Sequence, residues 1–203
     1  MSVFSVPVDM LLLIASRLIH YPGDDFDRDL EWMMNELENE TQGETKEAWT
    51  SIVQLFQSMP LEELKKIYVE TFDWKEKTGL YLTAQELGDS RKRGAALIKL
   101  QKLINEAGFD RLDGELADYI PMLYEFLAVA QENPAVERLK RRLAAATFRI
   151  SENIEEKNPY ALVFKRLMTD VFLAPSVEEL ENLKKERETA DLEELPYPLM
   201  YDA

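Results

Sequence analysis

A chain of 203 residues with 46% apolar side chains is long enough to build one domain around a sizeable core. Its formal net charge of −15 lacks the basic footprint that a phosphate backbone requires, which argues against nucleic acid and suits either basic partners or solubility alone. With no cysteine, disulfides and thiolate chemistry are excluded, and with a single histidine, His20, a transition-metal site is disfavoured because it would rest on carboxylates and one imidazole.

Helical spacing of apolar residues predicts an all-α chain. A first helix is expected over residues 6–20, stopping before the turn Tyr21-Pro22-Gly23. Its apolar run at 10–19 is too short to span a bilayer, has no Lys or Arg before it and carries Arg17, so it reads as a buried core helix and not as a signal peptide. A second helix over 24–40 places its early acids at the positive end of the helix dipole, with Phe26, Leu30, Met33, Met34 and Leu37 inward. After Gly43 a third uses Trp49, Ile52, Val53 and Phe56, and Pro60 opens a fourth over 61–72 that buries Leu64, Ile67, Tyr68 and Phe72. Residues 73–89 are less regular, with one further helical turn at Leu80-Tyr81-Leu82.

A fifth helix follows over 90–107, a sixth ends near 133, a seventh runs over 134–157 and an eighth over 160–173. The expected architecture is therefore a single-domain helical bundle or globule of about eight helices over residues 1–175. An acidic, partly helical or flexible tail follows over 176–203. Its apolar, Pro-interrupted end, 195–201, could dock back as a placeholder or stay disordered.

No nucleotide-binding glycine motif, zinc-helix motif or nucleophile elbow is present, and the many carboxylate pairs read as solvated helix faces, so no catalytic residue is assigned. Two segments stand out. In Gly88-Asp89-Ser90-Arg91-Lys92-Arg93-Gly94, Asp89 or Ser90 can cap a helix, yet three cations fall in its first turn, the wrong end for the dipole. They demand carboxylates within the chain or an external acidic or phosphate-bearing partner. A mixed case is expected, in which Arg91 pairs internally and Arg93 faces outward. In Glu115-Leu116-Ala117-Asp118-Tyr119-Ile120-Pro121-Met122-Leu123-Tyr124-Glu125-Phe126-Leu127, a core stripe of Leu116, Ile120, Leu123 and Leu127 accompanies a face of Asp118, Met122 and Glu125. Pro121 requires either a helix that starts at Asp118 as N-cap or a kink. The plain reading is a capped core helix with solvated acids; the functional one is an acidic, partly apolar site for a basic peptide.

These blocks carry a resemblance. Tyr68-Val69-Glu70-Thr71-Phe72-Asp73, Leu80-Tyr81-Leu82-Thr83, the segment 88–94 and the segment 115–127 occur in the order and near the spacing of the NarJ/TorD family, and resemble its nitrate reductase delta-subunit (NarJ) branch. Tyr21-Pro22 after an apolar first helix fits as well. The resemblance covers about residues 8–130, with departures at Ala84, Ala117, where proline is usual, and Tyr124.

The resemblance implies an all-helical cytoplasmic assembly chaperone with no activity of its own. Such a protein binds the N-terminal region of the apo catalytic (alpha) subunit of a nitrate reductase. It assists insertion of the molybdenum guanine dinucleotide cofactor without holding that cofactor stably, and neither nucleic acid nor membrane insertion is involved. The residues it points to for the peptide are Tyr68, Phe72, Asp118, Tyr119, Met122 and Glu125, with Asp89, Arg91 and Arg93 as contacts to a partner or anion. A helical adaptor without a peptide groove, or a carboxylate-based enzyme, are the competing readings.

Overall fold

The first helix is apolar on more than one side: Leu11, Leu12, Ile14, Ala15, Leu18 and Ile19 are all buried, which no surface helix tolerates. It must therefore be wrapped. The computed structural model of the chain describes residues 6–40, 42–73, 75–110 and 114–192, with 187–192 described for the backbone alone. In it this helix, α1 (Val8–Ile19), lies at the centre of an all-helical globule, against α7 (Ile120–Val129) and α9 (Pro159–Asp170). α7 buries six of its first seven residues, all but Glu125. Each fully buried Leu or Ile in this pair contributes roughly 1.5–3 kcal/mol of transfer free energy.

Around this centre α2 (Phe26–Asn39) packs on α3 (Glu44–Gln57), α3 on α9, and α8 (Pro134–Asn153) on α9. Trp49 of α3 is fully buried and donates from Nε1 to Asp170 Oδ2 at 2.8 Å; Asp170 is also clasped by Arg166 through two contacts of 2.8 Å. The buried indole thus has the partner that burial demands. Tyr124, where the resemblance anticipates an aliphatic residue, is buried with its hydroxyl paired to Thr147 Oγ1 of α8. Asparagine caps open α8 and α9: Asn133 Oδ1 accepts from the amides of Ala135 and Val136, and Asn158 Oδ1 from Tyr160.

Ten α-helices are present among the described residues, the expected eight plus a short α5 (Leu82–Leu87) and α10 (Val177–Leu192). α10 begins with a reciprocal capping box: Glu179 N donates to Ser176 Oγ and Ser176 N to Glu179 Oε2. That bond to its carboxylate holds Glu179 below the usual glutamate range. The segment expected to dock back, 195–201, lies outside the described residues.

Three local expectations change. The fourth helix does not continue regularly to residue 72: α4 (Leu61–Tyr68) passes into a π-helical turn, Val69–Asp73. Thr71 Oγ1 donates to Ile67 O, Thr78 Oγ1 donates to Thr71 O, and Asn158 Nδ2 donates to Thr71 Oγ1 at 2.7 Å, so side chains satisfy what the wider turn leaves open. Residues 80 and 81 are not helical. Leu82 N donates to Asp118 O and Ile120 N to Leu80 O, both at 2.8 Å, forming a single antiparallel bridge between Tyr81 and Tyr119. Leu116 is exposed and does not belong to the core stripe.

Candidate peptide-binding face

The segments singled out in the sequence lie far apart along the chain, and several of their residues meet at one end of α1. Where α1 stops, His20 and Tyr21 are exposed. His20 Nδ1 lies 3.2 Å from the Tyr119 hydroxyl, which lies 3.2 Å from the Tyr68 hydroxyl. Tyr21 packs edge-on against Tyr68 at 5.2 Å, Tyr68 against Phe72 at 4.9 Å, and Tyr81 against Tyr119 at 5.6 Å. Burial pushes the phenols of Tyr68 and Tyr119 well above the normal tyrosine range. The half-exposed Tyr81 is pushed up to about 12, by burial first and then by the Glu115 carboxylate that its hydroxyl meets at 3.3 Å. Asp73 and Glu115 bring negative charge to this cluster.

Beside it an open cleft of about 820 Å³ runs along α4 and the π-helical turn, lined by Tyr21, Glu62, Lys65, Lys66, Val69, Glu70 and Lys75. Its three lysines have carboxylate neighbours: Lys65 with Glu62 at 2.9 Å, Lys66 with Glu70 at 3.9 Å, Lys75 with Glu155 at 3.6 Å. The hydrogen bond that Lys65 donates to Glu62 holds its ammonium above its ordinary range.

Of the six residues expected to meet a peptide, Tyr68, Phe72, Asp118, Tyr119 and Met122 are buried, and Glu125 is half-buried. The face shared by Asp118, Met122 and Glu125 does not form, because Asp118 precedes the helix. Glu125 accepts from Ser16 Oγ of α1 at 3.0 Å. Asp118, fully buried, turns toward α5 and the first turn of α6 (Lys92–Glu106).

Asp118 is not the cap of α7. That position is Tyr119, Pro121 sits in the first helical turn, and the freed amide of Ile120 goes to Leu80 O, so there is no kink. Asp118 Oδ2 accepts instead from Thr83 N at 3.1 Å and from Thr83 Oγ1, capping α5 from another part of the chain.

Of the three residues expected to meet a partner or anion, Asp89 and Arg91 are exposed. The mixed assignment of the arginines is reversed. Arg93 turns inward: its Nε donates to Thr83 Oγ1 at 3.1 Å, its Nη2 lies 3.6 Å from Asp118 Oδ2, and its guanidinium sits 5.9 Å from the centre of the Tyr81 ring. The cation at the wrong end of α6 is thereby answered within the chain. At the same helix start Ser90 Oγ accepts from Lys92 N.

The sequence alone assigned no binding role to His20 or to Tyr81, whose hydroxyl and ring both lie on this face. The signal for both was their place beside recognised blocks, Tyr21-Pro22 and Leu80-Tyr81-Leu82-Thr83.

Among curated proteins, the chain is similar to a probable nitrate reductase molybdenum cofactor assembly chaperone, NarJ, of Bacillus subtilis, at 32% identity over 119 residues, which cover 57% of this chain and 63% of that protein. It is also similar to the nitrate reductase molybdenum cofactor assembly chaperone NarJ of Escherichia coli K12, at 28% over 160 residues, covering 77% of this chain and 67% of that protein. The matched part thus spans about two thirds of either relative. A family model described as nitrate reductase delta subunit matches residues 38–156, from the end of α2 through α8 and past the last recognised block. With more than half of its length matched, the chain belongs to the nitrate reductase delta subunit family.

Proposed function

We propose that this protein is a cytoplasmic assembly chaperone that binds the N-terminal region of the apo catalytic subunit of a respiratory nitrate reductase. It holds that subunit while the molybdenum guanine dinucleotide cofactor, the client's cargo, is inserted, and it has no catalytic step of its own. The observation that carries this reading is the meeting of His20, Tyr21, Tyr68, Tyr81 and Tyr119 on one aromatic, hydroxyl-bearing face with Asp73 and Glu115 close by. The names of the relatives support the choice of client.

An amphipathic basic segment suits this surface. Its apolar side can lie in the cleft between Tyr21 and Val69, while its cations meet the aromatic rings and the carboxylates. Tyr68, Phe72, Tyr119 and Met122 then act as the buried floor that supports this surface, and Glu125 as an acidic contact on α7. Asp89 and Arg91 remain exposed for a later contact with the client.

The test is calorimetric titration with a peptide of the first few dozen residues of the nitrate reductase catalytic subunit encoded with this chain. Saturable binding that weakens as salt rises is expected, because exposed charge pairs are screened within about 10 Å at 0.1 M salt. Absence of binding at any salt concentration would sink the reading, and salt-independent affinity would leave a purely apolar mode.

A further inference from the structure

Asp118 is the most deeply placed carboxylate of the candidate site, with a side-chain exposure of 0%. Its two oxygens are treated unequally. Oδ2 takes the amide and hydroxyl of Thr83 and the approach of Arg93; Oδ1 is buried and accepts no hydrogen bond. A buried carboxylate oxygen left empty is costly, and a guanidinium is the group whose fork fills both oxygens together. Arg93 does not use that fork here. One of its nitrogens stands 3.6 Å from Oδ2, beyond hydrogen-bonding reach, while Nε is spent on Thr83.

The side chain of Arg93 is 27% exposed, so it runs from solvent down to a carboxylate that solvent does not touch. It arises from the first turn of α6, a helix that buries little: Leu100 and Ile104 are in the core, and Ile98 faces solvent. α5, by contrast, is fastened to α8 by the two-pronged pair of Glu86 with Arg142 at 2.7 Å and by Arg149 donating to Gln85 O at 2.6 Å. Gly88, at φ +57°, joins the fastened helix to the lightly held one.

We propose that Asp118 is a receptor for an arginine side chain of the bound client segment, and that Arg93 is a built-in competitor that occupies the receptor weakly until the client displaces it. This rests on the peptide-binding reading given above and adds to it what sets the affinity. Arg93 lowers binding by the fraction of molecules in which it holds Asp118. It also keeps the acid compensated when no client is present, since an unpaired buried charge is destabilising.

The experiment uses the full chain, its Arg93→Ala variant, and the Arg93→Ala/Asp118→Asn double variant. The probes are N-acetylarginine amide and, as neutral isostere, N-acetylcitrulline amide. With Arg93→Ala, the arginine amide is expected to raise the melting temperature saturably. The citrulline amide should not, and neither probe should act on the double variant. The client peptide should bind Arg93→Ala about three- to tenfold more tightly than the unaltered chain.

No response to the arginine amide, an equal response to the citrulline amide, or peptide affinity that is unchanged or weaker would each overturn the proposal. If Arg93→Ala does not fold, Arg93→Lys takes its place. It keeps the charge but not the fork, and the same outcomes decide. Failure of the peptide to bind any variant would remove the chaperone reading alone, because the amide titration still decides whether Asp118 receives a guanidinium.

Discussion

Single side chains carry unequal weight at the candidate site. Asp118 joins three segments: its carboxylate caps α5 and meets Arg93, while its carbonyl takes the amide of Leu82. Asp118→Ala should therefore cost about 2–4 kcal/mol in chemical denaturation, more than the loss of an ordinary cap. Glu125→Ala surrenders one hydrogen bond from Ser16 at a half-buried position and should cost about 1 kcal/mol, with its larger effect on peptide affinity. Equal costs for the two would contradict this ranking.

The tyrosines set an alkaline limit. Burial raises Tyr68, Tyr119, Tyr124 and Tyr160, and Tyr81 to about 12. A phenol whose folded value exceeds its unfolded one, about 10, keeps its proton in the native state after the unfolded chain has released it. Its stabilising contribution is complete below about pH 10 and is lost as pH rises from there toward the folded value. The melting temperature should be flat through neutrality and fall above about pH 10. Phenolate absorbance should appear together with unfolding, and full phenolate absorbance in a still-folded chain would show the rings to be accessible.

At the scale of elements, the attachment of α10 differs from that of the rest. None of residues 177–186 is buried; the helix is held by Glu186, which meets Arg138 at 3.7 Å and Arg141 at 3.3 Å, all partly exposed. Exposed pairs of this kind are worth roughly 0–1 kcal/mol. Glu186→Ala should thus change global stability by no more than about 1 kcal/mol. In the intact chain, α10 should exchange its amide hydrogens faster than α1 or α7, and more so at high salt. Protection equal to that of α7 would mean that α10 is held by more than these pairs.

Helix identity was legible, the short α5 apart, because apolar periodicity and the Pro and Gly punctuation agreed from α1 to α9. The π-helical turn was not, since it is accompanied by three hydroxyl and amide bonds, one of them from Asn158, the cap of α9. The bridge at Tyr81 escaped for a similar reason: a two-residue pairing across 38 positions leaves no alternation to read. The reversed roles of Arg91 and Arg93 show the same limit, because the direction of each side chain depends on where Asp118 arrives.

For the molecule as a whole, a net charge of −15 is carried largely by solvent-facing helices around a core that is mostly apolar, with a few buried polar groups such as Asp118 and Thr147. That division keeps the surface repulsive toward other copies of the chain and attractive toward basic segments. The blocks that marked the family were visible in the sequence, but their convergence was not, since only the crossing of α1 and α7 brings His20 to Tyr119. The same crossing has a consequence for biosynthesis. Ser16 and the Glu125 it meets are 109 positions apart, and α9 comes later still. α1 is made before the helices that cover it on several sides. Until α7 and α9 emerge, a nascent chain displays the apolar faces of α1 to solvent.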